Sequence, residues 1–291
     1  MTRQFLDLPV TTQITPVITE RLIGNLPVLV VNHPKVHAAL TLQGAHLLAW
    51  QPANQQPVIW LSDKTPFTPG VAIRGGVPIC WPWFGPASTP AHGFARLLSW
   101  ELTAHAEDEQ GVLLTLTLKD SEESRQYWPH DFTLIARFKL GVECEIELES
   151  RGDYEVTSAL HSYFTVGDIE KIQVAGLGKP YLDKVLQFTH HEQQGELTFA
   201  GQTDRIYSQP ESRSLIKDPV LNRTIEVQHF FNTDVVAWNP GKEATAKMQD
   251  MDSDGYKTMV CVESASVSKP LRATPQAPLR LGTTIRLHQG V

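Results

Sequence analysis

Long helical periodicity is nearly missing from this chain of 291 residues, which leaves short strands joined by turns as the main local signal. Cysteine is scarce. Cys80, Cys144 and Cys261 are odd in number, scattered and set among apolar neighbours. No CxxC pair and no Cys/His spacing suggests zinc, and no disulfide framework is visible. Basic clusters are missing too: 25 Lys and Arg stand against 32 Asp and Glu, a net charge of −7. That excludes nucleic acid as a main partner, although a local positive pocket for one phosphate stays open. No apolar run is long enough to span a bilayer, and Met1 to Val10 lacks an apolar core behind a basic flank. No membrane partner and no secretion leader are expected, and the expected setting is the cytoplasm. Phosphate-binding loops, GxGxxG after a strand and GxSxG are all missing. His190-His191 has no partner ligands at a suitable spacing. Asp250 to Gly255 imitates the start of a calcium loop but places Cys261 at its last ligand position, so it reads as a polar turn and helix cap. Neither a metal nor a cofactor is expected. With no composition break, repeat or low-complexity tract, a single domain over residues 1–291 is the simplest organisation.

What is present is a series of short strand patterns. Val28–Val31, Ala38–Leu42, His46–Trp50, Val58–Leu61 and Leu98–Leu102 are apolar runs bounded by turn residues. Val112–Leu118 and Phe132–Leu140 follow. Val142–Glu149 alternates apolar residues with glutamate, the pattern of a strand with one wet face. It forms a hairpin with its predecessor across Gly141. Tyr154–Leu160, Ile225–Phe231, Val235–Trp238, Met259–Glu263 and Ile285–His288 continue the series. Only short helices are predicted, near Asp63–Phe67 and Ser253–Lys257. The fold class is all-β, a sandwich or barrel.

One stretch departs from this pattern. Arg74-Gly75-Gly76-Val77-Pro78-Ile79-Cys80-Trp81-Pro82-Trp83-Phe84-Gly85 leads to His92-Gly93-Phe94-Ala95-Arg96. It is too rich in Gly, Pro and Trp for a helix or an ordinary central strand. Glycine lets backbone approach a ligand closely, and proline lowers the entropy lost on ordering. Arginine forks onto phosphate or carboxylate. The mixture reads as the wall of a small-molecule pocket. The same residues also suit a rigid crossover whose tryptophans fill core.

Three further residues invite chemistry. His161 follows a strand and is flanked by hydroxyl-bearing residues, so it can move a proton near neutral pH; it can equally be a satisfied core histidine. Glu263 shares a strand face with Met259 and Cys261, where an unpaired carboxylate is costly to bury, unless it lies just past the strand in solvent. Asp204 can accept hydrogen bonds from sugar hydroxyls, or simply pair with Arg205 in a surface turn.

Together with Leu160-His161-Ser162-Tyr163-Phe164 and Met259-Val260-Cys261-Val262-Glu263, the two halves of the 74–96 stretch make the chain resemble the D-hexose-6-phosphate mutarotases of the galactose mutarotase-like superfamily. The motifs run from about a quarter of the chain to near its end, in the family's order. The resemblance implies a β-supersandwich with few short helices. It implies His161 as general acid and Glu263 as general base, Arg74 and Arg96 on the 6-phosphate, Asp204 on ring hydroxyls and His92 beside the ring. The chain departs from many relatives in one place, with Ala91 instead of Gln before His92, which leaves the sugar preference open.

The chemistry is consistent with that set. Exchanging the anomers of a hexose 6-phosphate takes a proton from the C1 hydroxyl and delivers one to the ring oxygen. It needs one base and one acid, and no metal, nucleotide or covalent nucleophile. The expected partner is a phosphosugar, bound by a monomer. Three other readings are open: an aldose 1-epimerase for unphosphorylated sugars, a carbohydrate-binding module using the faces of Trp81 and Trp83, and a glycoside hydrolase pairing Asp204 with Glu263.

Overall fold

The computed structural model describes residues 2–291. Five strands come first: β1 (Val10–Gln13), β2 (Ile18–Ile23), β3 (Leu26–His33), β4 (Val36–Thr41) and β5 (His46–Pro52). After the two-residue β6 (Ile79–Cys80) come β7 (Glu101–Asp108), β8 (Gly111–Lys119), β9 (Phe132–Gly141), β10 (Cys144–Gly152), β11 (Tyr154–Leu160) and β12 (Tyr163–Thr165). The remainder are β13 (Gln173–Ala175), β14 (Pro180–Asp183), β15 (Thr189–Glu192), β16 (Thr203–Tyr207), β17 (Arg213–Asp218), β18 (Arg223–Phe230), β19 (Asp234–Asn239), β20 (Met259–Ala273) and β21 (Leu279–Gln289). Among the described residues, helices are confined to α1 (Thr2–Leu6), α2 (Glu122–Tyr127), α3 (Gly241–Thr245) and two 3₁₀ turns. None is long and apolar enough to cross a membrane.

The strands form three antiparallel sheets. The first is the meander β1-β2-β3-β4-β5. The second has the order β13-β17-β18-β21-β10-β9-β8-β7. The third runs β15-β14-β16-β19-β20-β11-β6, with β12 also on β20. One apolar cluster joins all three, including Leu40 and Trp50 from the first, Phe138 and Ile285 from the second, and Val260 and Val262 from the third. The all-β expectation holds. The apolar run in β3 has a simple cause: Leu29 and Val31 face that cluster, while Val28 and Val30 face a smaller one closed by Phe5 of α1.

Several local expectations are corrected. Asp63–Phe67 is not helical: the Ser62 hydroxyl accepts from the Lys64 N–H, and Pro66 follows. The second short helix is a 3₁₀ turn at Gly255–Thr258, and Asp254 makes no side-chain capping bond to it. Val58–Leu61 is extended but makes only single bridges, Ile59 to Phe164 and Leu61 to Gly75. At Leu98–Leu102 the ladder starts later, at Glu101. Here the Trp100 N–H is taken by the Leu42 carbonyl and the Leu98 carbonyl by the Gly44 N–H. The alternating glutamate strand begins at Cys144, leaving Val142 exposed in the turn. Its Glu149 is buried because Arg137 and Arg151 cover it.

Two core histidines tie the fold to pH. His46 Nε2 donates to the Gly75 carbonyl at 2.8 Å, and His229 lies between the hydroxyls of Ser214 and Ser264 at 3.0 and 2.7 Å. Burial pulls both down from 6.5 to about 4. The unfolded chain therefore takes up these protons first. Their stabilising effect is complete above pH 6.5 and is lost as pH falls towards 4, roughly 3 kcal/mol for each histidine. Urea unfolding at a series of pH values should show this loss, and His229→Gln should flatten it. An unchanged pH slope in the variant would remove His229 from the account.

Candidate active site

The site is built on the face of the third sheet turned away from the shared core. Along β20, Val260 and Val262 point into that core, so Met259, Cys261 and Glu263 point to the other side. Register then sets their neighbours. Asp204, Trp238, Cys261 and Tyr163 stand opposite one another across β16, β19, β20 and β12, and Val236 stands opposite Glu263. The shared face predicted for Met259, Cys261 and Glu263 is present. Glu263 is not past the strand in solvent; it is completely buried.

The Gly/Pro-rich stretch closes over this face. Its β6 pairs with the end of β11, Leu160 opposite Ile79, and the His161 N–H donates to the Pro78 carbonyl at 3.0 Å. The Tyr163 N–H donates to Gly76. Close approach explains two glycines. At Gly76 a Cβ would lie 2.5 Å from His46 Nε2. At Gly93 it would lie 1.9 Å from the Trp81 carbonyl oxygen, with φ at +74°. The stretch is therefore both a rigid crossover and the wall beside His161.

His161 Nδ1 and Glu263 Oε1 approach to 3.3 Å, yet the angle gives no hydrogen bond: that nitrogen and both carboxylate oxygens are buried without a partner. Burial drives each toward its neutral form. It holds His161 well below the usual imidazole range, with His92, Arg74 and Arg96 adding to the effect. It holds Glu263 well above the usual carboxylate range, with Asp204 adding to it. One face of His161 stacks on Tyr163 at 4.8 Å and 10°, and Trp238 meets it edge-on at 6.0 Å.

His92 lies beside this pair, its ring 5.5 Å from that of His161. Burial pulls it down to about 3, so it is neutral. Its Nδ1 accepts from the Gly85 N–H at 3.3 Å, which places its proton on Nε2.

The charged groups are unequally matched. Arg74 donates from Nε to Asp250 at 3.1 Å and from Nη1 to the Tyr163 hydroxyl at 3.1 Å. Arg96 donates to the Ala91 carbonyl at 2.8 Å, its Nε is buried without a partner, and among the described residues it has no carboxylate. Asp204 pairs with Lys184 at 2.9 Å, not with Arg205, whose partner is Asp183 at 3.2 Å. Burial still raises Asp204 despite Lys184.

The structure thus brings His161, Glu263, Asp204, His92, Arg74 and Arg96 into one neighbourhood. Sequence reasoning missed Asp250 as the partner of Arg74, Lys184 as the partner of Asp204, and Tyr163, Trp238 and Phe84 as the aromatic lining. Tyr163 was visible only as a neighbour of His161. Lys184 carries no local signal at all, because it reaches the site through the β14–β16 pairing. The platform reading is corrected for Trp81. Trp81 has no exposed surface and packs on Phe94, Trp128, Phe132 and Tyr154, and Trp83 leans on Phe94 with its N–H on Pro90. Phe84 instead lies beside His92, with Lys184 5.6 Å over its ring. A groove of about 520 Å³ between the β7–β8 and β9–β10 turns contains none of these residues.

Comparison with known proteins identifies the family and the fold. A protein of Salmonella typhimurium named "putative glucose-6-phosphate 1-epimerase" is 53% identical over 293 residues, 98% of each chain. The solved structure of a "putative mutarotase" from the same organism matches with a TM-score of 0.97 at 52% identity, over 99% of each chain. A galactose mutarotase related enzyme from Lactobacillus acidophilus matches at TM-score 0.69 over 90% of this chain and 97% of its own; at 13% identity it speaks for the fold alone. The family model described as aldose 1-epimerase matches residues 27–286, and the chain belongs to that family.

Proposed function

We propose that this protein interconverts the α and β anomers of a hexose 6-phosphate, glucose 6-phosphate first, with Glu263 as general base and His161 as general acid. The observation that carries this reading is the 3.3 Å approach of two buried, unpartnered proton-transfer groups beside an arginine that lacks a carboxylate. The name borne by the close relative from Salmonella typhimurium supports the substrate. The apolar cluster common to all three sheets supports action as a single domain.

The Glu263 carboxylate takes the proton of the C1 hydroxyl as His161 delivers one to the ring oxygen. The C1–O5 bond breaks and an aldehyde forms. Rotation about C1–C2 presents the other face, and closure returns both protons. His92 offers its Nε2 proton to a sugar oxygen. Lys184-paired Asp204 accepts from ring hydroxyls.

The phosphate has a second role besides anchoring. Arg74 and Arg96 help to keep His161 neutral. A phosphate dianion on them cancels part of that positive field and moves His161 toward the protonated form that a general acid needs. Arg96 is the stronger anchor, because Asp250 already neutralises Arg74. A neutral sugar would leave the Arg96 charge uncompensated, which disfavours the unphosphorylated alternative. A binding module has no use for the proton-transfer pair, and the burial of Trp81 removes one of its two platforms.

Anomer exchange on glucose 6-phosphate, followed by NMR saturation transfer, should fall by about a hundred- to ten-thousand-fold in Glu263→Gln and in His161→Ala, with binding largely kept. Near-normal exchange in either variant removes that residue from the mechanism. Arg96→Ala should cost about 2 kcal/mol of phosphosugar binding and narrow the preference over free glucose, which an unchanged rate ratio would contradict. The His161 imidazole signal should titrate below pH 6.5 in the free protein, and its midpoint should rise when phosphate is bound. A midpoint that phosphate leaves in place would separate the anchor from the acid.

A further inference from the structure

We propose that the active centre is also an inhibitory site for Zn²⁺, held by His161, Cys261 and Glu263. A ring nitrogen of His161, Cys261 Sγ and a Glu263 carboxylate oxygen all lie within 4.8 Å of one another, with His161 Nδ1 3.3 Å from Glu263 Oε1. The three residues are buried, at 8%, 0% and 0% exposure. His161 Nδ1 and both Glu263 oxygens have no hydrogen-bond partner, so their lone pairs are free. Donors around tetrahedral zinc stand about 3–4 Å apart, so only a small contraction is needed.

Two of the ligands are neighbours on one face of β20, and the third follows β11, the adjacent strand. The backbone thus already holds the triangle. Charge also fits. As the metal binds, the Cys261 thiol and the Glu263 carboxyl, which burial favours in its protonated form, each give a proton to solvent. Thiolate and carboxylate then supply two negative charges, neutral imidazole none, and the buried complex carries no net charge. Arg74, Arg96 and Lys184 nearby disfavour any cation that is not neutralised in this way. The sulfur donor selects Zn²⁺ or Co²⁺ over Mg²⁺ and Ca²⁺, which take oxygen ligands.

The metal would occupy the two groups assigned to proton transfer, so zinc and sugar exclude each other. This competitive effect rests on the function proposed above; the binding does not. Cys261 has no part in that mechanism, which makes it the residue to change.

The test uses the full-length protein with Co²⁺ and with Zn²⁺. Co²⁺ should produce a thiolate-to-cobalt charge-transfer absorption that is lost in Cys261→Ser and kept in Cys80→Ser, the thiol beside His92. Zn²⁺ should raise the apparent KM for glucose 6-phosphate without lowering kcat, and a chelator should reverse this. Cys261→Ser should retain the metal-free activity and lose zinc sensitivity by about tenfold or more. No thiolate band, or equal zinc sensitivity in Cys261→Ser, overturns the site. A band in a protein that exchanges no anomers supports the metal site and overturns the catalytic reading instead.

Discussion

A carboxylate buried without a hydrogen bond is the constraint on which this site depends. Glu263 has no exposed surface, and neither oxygen has a partner. Such a group is tolerated only where the rest of the fold holds it in place. Here it is the fifth residue of β20, a 15-residue strand flanked by β19 and β11 and backed by Val260 and Val262. The paired backbone prevents the side chain from reaching water, and the Gly/Pro-rich crossover closes the open side. What folding loses in solvation, the site gains in basicity: burial and the nearby Asp204 raise Glu263 well above the usual carboxylate range, and the Lys184 charge only partly offsets them.

The same reasoning separates the two arginines, which are alike in sequence. Arg74 follows Ile73, a residue packed in the smaller core cluster, and its guanidinium is fixed by Asp250 and by the Tyr163 hydroxyl. It acts as part of the wall: Tyr163 stacks directly on His161, so Arg74 orients the ring that orients the acid. Arg96 is held by one carbonyl and keeps its charge available. A pocket of two equivalent phosphate clamps is replaced by one fixed and one available charge. The fixed one sets geometry, and the available one is the phosphate anchor proposed above.

Much of the strand pattern was legible because these strands carry their periodicity in consecutive residues. Tyr154–Leu160 is predicted and found with the same bounds, and the Cys144, Ile146 and Leu148 face is buried as alternation requires. The failures share a cause. Edge strands such as β7 are exposed and polar along nearly all their length, so they present no apolar signal. Val58–Leu61 has the composition of a strand, but its partners lie on the crossover and on β12, which only the folded chain brings alongside. For the site, the motif residues were legible as chemical types. Asp250, 176 positions from Arg74, was not, because pairing at that separation is decided by the turn after α3 and not by any local pattern.

The burial of Trp81 shows why residue type alone misreads such a loop. Tryptophan next to proline and glycine suggests a sugar platform, yet Trp81 is a keystone of an aromatic cluster with Phe94, Trp128, Phe132 and Tyr154, its indole N–H on the Ser150 hydroxyl at 3.1 Å. Its carbonyl accepts from the Ala95 N–H, and Gly93 packs against the same carbonyl at a distance no Cβ permits. The His92–Arg96 segment is therefore positioned through Trp81. Anchoring the loop by a core residue holds Phe84, His92 and Arg96 beside the candidate site. The two readings of this stretch, pocket wall and scaffold, are then one arrangement: the scaffold half is buried so that the chemical half can be held still.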